Sequence, residues 1–85
     1  MPNILERLQK LIAEQLGVDK ESVVPSATLI DDLNADSSDL AELISRIEAE
    51  FSHSKTKIEI SDDEIERIVS VQDIIDLLRD YSIED

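Results

Sequence analysis

The sequence predicts an all-α protein: a small four-helix bundle with three long helices, one short third helix and a long loop between helices one and two. Apolar residues recur at helical spacing along nearly the whole chain, which is typical of helices that bury one face. The chain has 85 residues, a length that suits a single domain spanning residues 1–85. Apolar residues make up 41% of it, enough to fill one core despite the high charge.

The first helix is predicted to open at Pro2 or Asn3 and to end at Gly17, the only glycine, which readily adopts a left-handed conformation. Its apolar stripe consists of Ile4, Leu5, Leu8, Leu11, Ile12 and Leu16. Residues 18–30 break the helical pattern with a proline and several β-branched residues, so we interpret them as a long loop. A loop of this length needs anchors in the core. The expected anchors are Val23, Val24, Leu29 and Ile30.

The second helix is predicted to run from about Ser38 to Phe51. Asp36, Ser37 and Asp39 supply capping groups and negative charge at its start, where the helix dipole favours them. Its buried stripe is expected to contain Leu40, Leu43, Ile44, Ile47 and Phe51.

A short third helix is predicted over Asp62 to Ile68. The last helix is predicted to begin after Ser70, because Asp73 follows three residues later in the manner of a capping box. Its inward face is expected to contain Val71, Ile74, Ile75, Leu78 and Tyr81.

The net charge of −13 arises from 21 acidic and 8 basic residues. Such a surface repels nucleic acids and anionic membranes, and it attracts cations or basic patches on other proteins. The chain has no cysteine, and no apolar run reaches the roughly 18 residues that a membrane span needs. We therefore expect a cytoplasmic monomer that neither binds nucleic acid nor inserts into a membrane.

Two adjacent serines stand between aspartates in DDLNADSSDLAEL, residues 31–43, where the second helix begins. Three interpretations are open: a helix cap, part of a cation-binding loop, or a site of covalent attachment. Serine and aspartate before an apolar-periodic run commonly cap a helix. Asp39 and Glu42 have the spacing of a capping box, so the local pattern alone favours the cap.

The cation-binding interpretation rests on Asp32, Asn34 and Asp36, which match the first three ligand positions of a calcium-binding loop. The sixth position requires a glycine but holds Ser37, and the twelfth requires a bidentate glutamate but holds Leu43. A dedicated metal site is therefore not expected, although weak binding of divalent cations by the acidic surface stays open.

Catalysis by a serine requires a neighbouring base, usually a histidine that a third group orients. The only histidine, His53, lies in the polar stretch SHSKTK, and no glycine-rich oxyanion loop surrounds Ser37. The sequence therefore predicts no enzyme and no catalytic residue. Under the third interpretation, covalent attachment, the hydroxyl would carry a prosthetic arm, and its acidic neighbours would dock basic patches on successive enzymes.

The segment DDLNADSSDLAELISRIEAEF closely resembles the region around the modified serine of acyl carrier proteins. Upstream, LIAEQLGVDKESVVPSATLIDDL looks like the first helix and loop of that family. Downstream, ISDDEIERIVSVQDIIDLL looks like its short third helix and its final helix. The resemblance spans nearly the whole chain and favours covalent attachment over the other two interpretations.

The resemblance implies that Ser37 receives 4′-phosphopantetheine from coenzyme A through a phosphopantetheinyl transferase. The thiol of this arm would hold acyl intermediates as thioesters, for fatty-acid synthesis or for a specialised acyl or polyketide pathway. The other implied partners are acyl-loading and acyl-processing enzymes with basic docking patches. The carboxylates that match family docking positions are Asp36, Asp39, Glu42 and Glu48.

The sequence departs from the family pattern on the second helix. Ser38 replaces the leucine that usually follows the modified serine, but Ser37 keeps the register with Asp36 and is the preferred attachment site. Ser38, Ala41 and Ser45 share one exposed side, where the family usually presents larger apolar residues to its partners. This loss of apolar surface predicts a carrier for a dedicated pathway.

A second departure is the stretch SHSKTK, residues 52–57, which lengthens the connection between helices two and three. This insertion either adds contacts with cargo or partners or is simply tolerated. Two functional alternatives also stay open. Within the family, the alternative is a carrier domain for aminoacyl or polyketide intermediates. Outside the family, it is an acidic helical adaptor or a weak divalent-cation-binding protein without a prosthetic group.

Overall fold

A computed structural model describes residues 3–52, 57–81 and 83. Within these ranges the chain forms four α-helices: α1 (Ile4–Leu16), α2 (Ser37–Phe51), α3 (Asp62–Arg67) and α4 (Val71–Asp80). One short 3-10 helix, Lys20–Ser22, lies in the loop between α1 and α2. The all-α prediction, with three long helices and a short third one, is confirmed. Pro2, His53 and most of the 52–57 insertion lie outside the described residues.

Helix α1 begins and ends where the sequence predicts. The side chain of Asn3 accepts a hydrogen bond from the Glu6 N–H (2.8 Å) and caps the helix. Gly17 ends it in the left-handed conformation (φ 68°) and donates its N–H to the carbonyl of Ala13 (2.9 Å). The predicted stripe faces the core, with Ile4, Leu8, Leu11 and Ile12 buried and Leu5 and Leu16 packed against them.

The loop between α1 and α2 is held in the core by fewer of the predicted anchors than expected. Val23 and Leu29 are buried, but Val24 and Ile30 are exposed (39% and 59%), so the prediction is wrong for these two. The members of each pair are adjacent in an irregular loop, where burial of one side chain does not bring its neighbour to the core. The loop buries instead Ala27, Leu33 and Ala35.

The same loop is joined to the start of α4 by backbone hydrogen bonds. Thr28 and Ser70 form an isolated antiparallel bridge. Three further hydrogen bonds, of 2.9, 3.0 and 3.0 Å, run from Leu29 to Val69, from Val71 to Ala27 and from Gln72 to Pro25. This pairing satisfies backbone groups that a loop packed on the core would otherwise leave unpaired.

The remaining helices lie close to their predicted positions. Helix α2 begins at Ser37, one residue earlier than expected, and ends at Phe51. Helix α3 ends at Arg67, because Ile68 already has an extended backbone (φ −78°, ψ 115°). Helix α4 begins after Ser70 with the predicted capping box.

The predicted stripes of α2 and α4 form most of the remaining core. The buried residues of these helices are Leu43, Ile44, Ile47, Phe51, Val71, Ile74, Ile75 and Leu78. Leu40 and Tyr81, which were expected in the stripes, are only half-buried. Tyr81 also follows the last residue of α4, so its backbone no longer continues the helical register.

Asp73 fixes the start of α4. Its Oδ2 accepts hydrogen bonds from the N–H groups of Val69 (2.9 Å) and Ser70 (3.0 Å), and its own N–H donates to Ser70 Oγ (3.4 Å). The backbone hydrogen bonds from Ser70 and Val69 lower the pKa of Asp73 below its ordinary value of 3.8, although partial burial acts in the opposite direction.

Asp73→Asn is expected to reduce the free energy of unfolding by about 1–2 kcal/mol at neutral pH, because an amide accepts hydrogen bonds less strongly than a carboxylate. Folding lowers the pKa of Asp73, so its contribution is present above pH 3.8 and is lost as the pH falls through the folded-state pKa. The stability gap between wild type and variant should therefore close in acid, as thermal unfolding at a series of pH values will show. Asp76→Asn is the control, because the exposed Asp76 accepts a hydrogen bond from the Gln72 side chain (2.9 Å) and does not cap the start of α4. A gap that stays constant into strong acid would contradict this assignment.

Candidate functional site

Ser37 is the first residue of α2, and Asp36 caps the helix. Asp36 Oδ1 accepts a hydrogen bond from the Asp39 N–H (2.8 Å), and Asp39 Oδ2 accepts one from the Asp36 N–H (3.2 Å). These reciprocal bonds form a capping box over residues 36–39. The capping box predicted for Asp39 and Glu42 is wrong, because the helix starts early enough to make Asp39 its third residue.

The two serine hydroxyls take no part in this cap. Both side chains are exposed, and neither the Ser37 nor the Ser38 hydroxyl has a hydrogen-bond partner among the described residues. The cap interpretation of the serine pair is therefore wrong: Asp36 performs that role. Both hydroxyls are left accessible at the start of a firmly capped helix.

The turn before α2 is anchored to the core and fixes the start of the helix. Asn34 has a positive φ of 59°, which an asparagine adopts more readily than most residues. The Ala35 N–H donates to the carbonyl of Leu29 (2.9 Å), and the side chains of Leu33 and Ala35 are buried. Ser37 therefore follows two anchored positions and begins its helix in a fixed place.

The side of α2 that carries Ser38, Ala41 and Ser45 is exposed, as predicted from the spacing. Arg46 lies beside this side and is directed towards α1. Its guanidinium donates to Gln15 Oε1 (3.1 Å) and lies 3.5 Å from Glu14 Oε2. The exposed side thus presents small side chains rather than large apolar ones.

The four carboxylates expected to dock partners have different surroundings. Asp36 and Asp39 hold each other in the capping box beside Ser37. Glu42 accepts a hydrogen bond from Gln15 Nε2 on α1 (3.1 Å). Glu48 is half-buried and lies roughly 16 Å from Ser37 along the helix axis. These carboxylates do not form one compact cluster.

Glu48 belongs to a set of three side chains that hold residues 58–60, which we call the clamp. Glu48 Oε2 accepts from the Ile60 N–H (2.9 Å), and Ser52 Oγ accepts from the Ile58 N–H (3.0 Å). The hydroxyl of Tyr81 donates to the carbonyl of Glu59. One side chain of α2 and the side chains of the residues that follow α2 and α4 therefore hold the segment that leads into α3.

The Tyr81 hydroxyl is protonated in this contact. Burial raises the pKa of Tyr81 above its ordinary value of 10.0, and the charges of neighbouring glutamates, Glu64 foremost, raise it further. The hydroxyl therefore keeps the proton that it donates to the Glu59 carbonyl over the whole neutral range.

Comparison with known proteins identifies the family. A family model described as "Phosphopantetheine attachment site" matches residues 6–78. The acyl carrier protein of Buchnera aphidicola subsp. Baizongia pistaciae is 43% identical over 81 residues, which cover 95% of this chain and 97% of that protein. The acyl carrier protein of Thermosynechococcus vestitus is 47% identical over 75 residues, covering 88% of this chain and 86% of that protein.

The chain belongs to the acyl carrier protein family. It is an acyl carrier with a covalently attached 4′-phosphopantetheine, which supplies the thiol that the cysteine-free chain lacks. An acceptor for this group must be an accessible hydroxyl, and Ser37 and Ser38 both meet that condition. These comparisons favour the carrier over the acidic adaptor or cation-binding alternative.

The acidic loop of this acyl carrier protein contains no preformed metal site in its described part. No group of three or more histidine, cysteine, aspartate or glutamate residues among the described ones is placed to hold a metal ion. Asp32 Oδ2 instead accepts a hydrogen bond from the Thr28 N–H (2.8 Å), and Asp36 caps α2. Among the same residues, no helix is both long and apolar enough to cross a membrane.

Sequence reasoning about the carrier missed the clamp. Glu48 was selected only as a docking residue, and Tyr81 only as a core residue. The contact of Glu48 with Ile60 joins residues 12 positions apart, and that of Tyr81 with Glu59 joins residues 22 positions apart. No spacing pattern in the sequence indicates contacts over such separations. The polar tip of a half-buried tyrosine was the one available signal, since such hydroxyls usually find a hydrogen-bond partner.

Proposed function

We propose that Ser37 is the residue that carries 4′-phosphopantetheine, and that acyl groups are held as thioesters on the thiol of this arm. The observation that carries the proposal is the exposed hydroxyl of Ser37 beside the capping box, which has no hydrogen-bond partner in the described part of the chain. The family model spans this position, since it matches residues 6–78. The register with Asp36, as the residue immediately before the modified serine, favours Ser37 over Ser38.

Mass spectrometry tests the proposal directly. The chain is incubated with coenzyme A and a phosphopantetheinyl transferase, and its intact mass should increase by one phosphopantetheinyl group. Fragmentation of the peptide that contains residues 36–39 then locates the group. Modification of Ser38 alone would overturn the choice of Ser37, and the absence of any mass increase would overturn the carrier function.

We further propose that α2 docks basic patches of the transferase and of acyl-processing enzymes. The carboxylates of Asp36 and Asp39 flank Ser37, and those of Glu42 and Glu48 extend the negative surface along the same helix. Opposite charge accelerates association and selects partners, even where single exposed pairs add little affinity. The chain itself performs no catalysis in this scheme. Its single-domain organisation, monomeric state and cytoplasmic location stay predictions.

The small side chains on α2 favour a dedicated pathway over bulk fatty-acid synthesis. Ser38, Ala41 and Ser45 leave a partner pocket without the apolar residue that the family usually inserts. Leucine in place of serine at a buried interface position makes the free energy of binding more favourable by about 1.5–3 kcal/mol. This energy corresponds to roughly a tenfold to hundredfold difference in affinity.

Ser38→Leu is therefore expected to raise the kcat/KM of housekeeping elongation enzymes for the acylated carrier by roughly tenfold to hundredfold. Steady-state kinetics with wild-type and variant carriers measure the change. Ser26→Leu is the matched control, because it adds the same side chain at an exposed position in the loop, outside α2. Efficient turnover of the wild-type carrier by these enzymes would reject the dedicated pathway.

A further inference from the structure

Residues 57–67, which contain α3, are connected to the rest of the protein mainly at their two ends. At the C-terminal end, the chain continues into the backbone bridge between Thr28 and Ser70. At the N-terminal end stands the clamp. Within the part of the chain that the structure describes, the three clamp contacts are the hydrogen bonds that join residues 57–67 to other elements.

Helix α3 adds little of its own to this attachment. It has six residues, none of them fully buried, and its apolar contribution to the core is the half-buried Ile65. The apolar residues that enter the core, Ile58 and Ile68, lie on either side of the helix. A six-residue helix that contributes one half-buried apolar side chain depends on tertiary contacts for its stability, so the position of α3 depends in large part on how firmly its ends are held.

Glu48 is the clamp residue that a partner enzyme can reach on α2. It is half-buried and lies on the same helix as Ser37, whereas Ser52 and Tyr81 follow the ends of α2 and α4. Its Oε2 accepts the Ile60 N–H, and its Oε1 has no hydrogen-bond partner among the described residues. An N–H···carboxylate bond is strong because the acceptor is charged. The bond is therefore sensitive to a cation that pairs with the same carboxylate.

We propose that Glu48 couples docking to the position of α3: a cationic side chain of a docking enzyme that pairs with Glu48 weakens its hydrogen bond to the Ile60 N–H and loosens α3. The cation reduces the negative potential at Oε2 and draws the flexible side chain towards the partner. The Ile60 N–H is then left with a weaker acceptor. This inference rests on the proposed function, in which α2 docks basic patches.

Amide hydrogen exchange of the full chain, followed by NMR, tests the clamp without a partner. Glu48→Ala is expected to speed exchange of the Ile60 amide and of the α3 amides about tenfold to hundredfold, because it removes a hydrogen bond to a charged acceptor. Glu42→Ala is the matched control: it removes a carboxylate from the same helix, but one that contacts Gln15 on α1. It should leave these exchange rates unchanged. Equal rates in Glu48→Ala and wild type would overturn the proposal.

Coupling is tested with the phosphopantetheinyl transferase in the absence of coenzyme A, so that no group is transferred. At saturation, the Ile60 and α3 amides of the wild type should exchange faster than in the free chain. The same amides of Glu48→Ala should show no further increase. Slower or unchanged exchange of the Ile60 amide in the saturated wild-type complex would overturn the coupling. Mass measurement after addition of coenzyme A reports attachment separately, so failure of the carrier function and failure of the coupling give different results.

Discussion

Ser37→Ala is expected to abolish attachment of phosphopantetheine while leaving the helical bundle intact. The Ser37 hydroxyl is exposed and has no hydrogen-bond partner among the described residues, so its removal leaves no buried polar group unpaired. Alanine is also the best helix former and suits the first position of α2. The free energy of unfolding should change by less than about 0.5 kcal/mol. Intact mass after incubation with the transferase and thermal unfolding by circular dichroism measure the two effects.

Ser38→Ala is the matched control for this experiment. It makes the same chemical change one residue along the helix, at another exposed hydroxyl without a hydrogen-bond partner among the described residues. We expect this variant to be modified as completely as the wild type. The opposite pattern, with Ser37→Ala modified and Ser38→Ala bare, would assign the arm to Ser38.

Leu78→Ala is expected to reduce the free energy of unfolding by about 2–5 kcal/mol, a large part of the 5–15 kcal/mol that stabilises a typical domain. Leu78 is fully buried (0% exposed) in the core formed by α1, α2 and α4. The substitution removes its contacts and leaves a cavity that close-packed neighbours fill only in part. The melting temperature should fall by roughly 10 °C or more. Chemical denaturation followed by circular dichroism gives the free energy.

Leu77→Ala is the control for the core substitution. Leu77 precedes Leu78 on the same helix and is only half-buried, so the same change of side chain creates less of a cavity. Its cost should be clearly smaller than that of Leu78→Ala. Equal costs for the two variants would mean that α4 packs with a different face towards the core.

The helices were predictable because their signals are local. Asn3 and Gly17 mark the ends of α1, and Ser70 with Asp73 marks the start of α4. Each of these residues makes a capping contact within four positions of itself. The apolar stripes depend on helical spacing alone, so the residues that face the core follow from the sequence once the helix is assigned.

The loop anchors and the clamp were less predictable because they depend on tertiary contacts. Both members of the pairs Val23–Val24 and Leu29–Ile30 are apolar, and composition does not indicate which one faces the core. The contacts of Glu48 with Ile60 and of Tyr81 with Glu59 join separate helices to an irregular segment. Such contacts are set by how the helices pack, not by spacing along one of them.

The position of Ser37 near the start of α2 was predictable, but the lack of a hydrogen-bond partner for its hydroxyl among the described residues was not. An aspartate and two serines at a helix start are all good capping residues, and only the observed start of α2 assigns the cap to Asp36. Because the aspartate has that role, the neighbouring hydroxyl is not needed for capping, as the proposed attachment at Ser37 requires.

The pairing of Thr28 with Ser70 determines where the chain can be truncated or fused to another protein. The loop that leads to Ser37 finds backbone hydrogen-bond partners in a segment forty or more positions downstream. A C-terminal truncation that removes residues 69–72 would leave these amides and carbonyls of the loop without partners. The loop before Ser37 would then be destabilised although its own sequence is unchanged. C-terminal tags and fusion partners should therefore be attached after the end of α4.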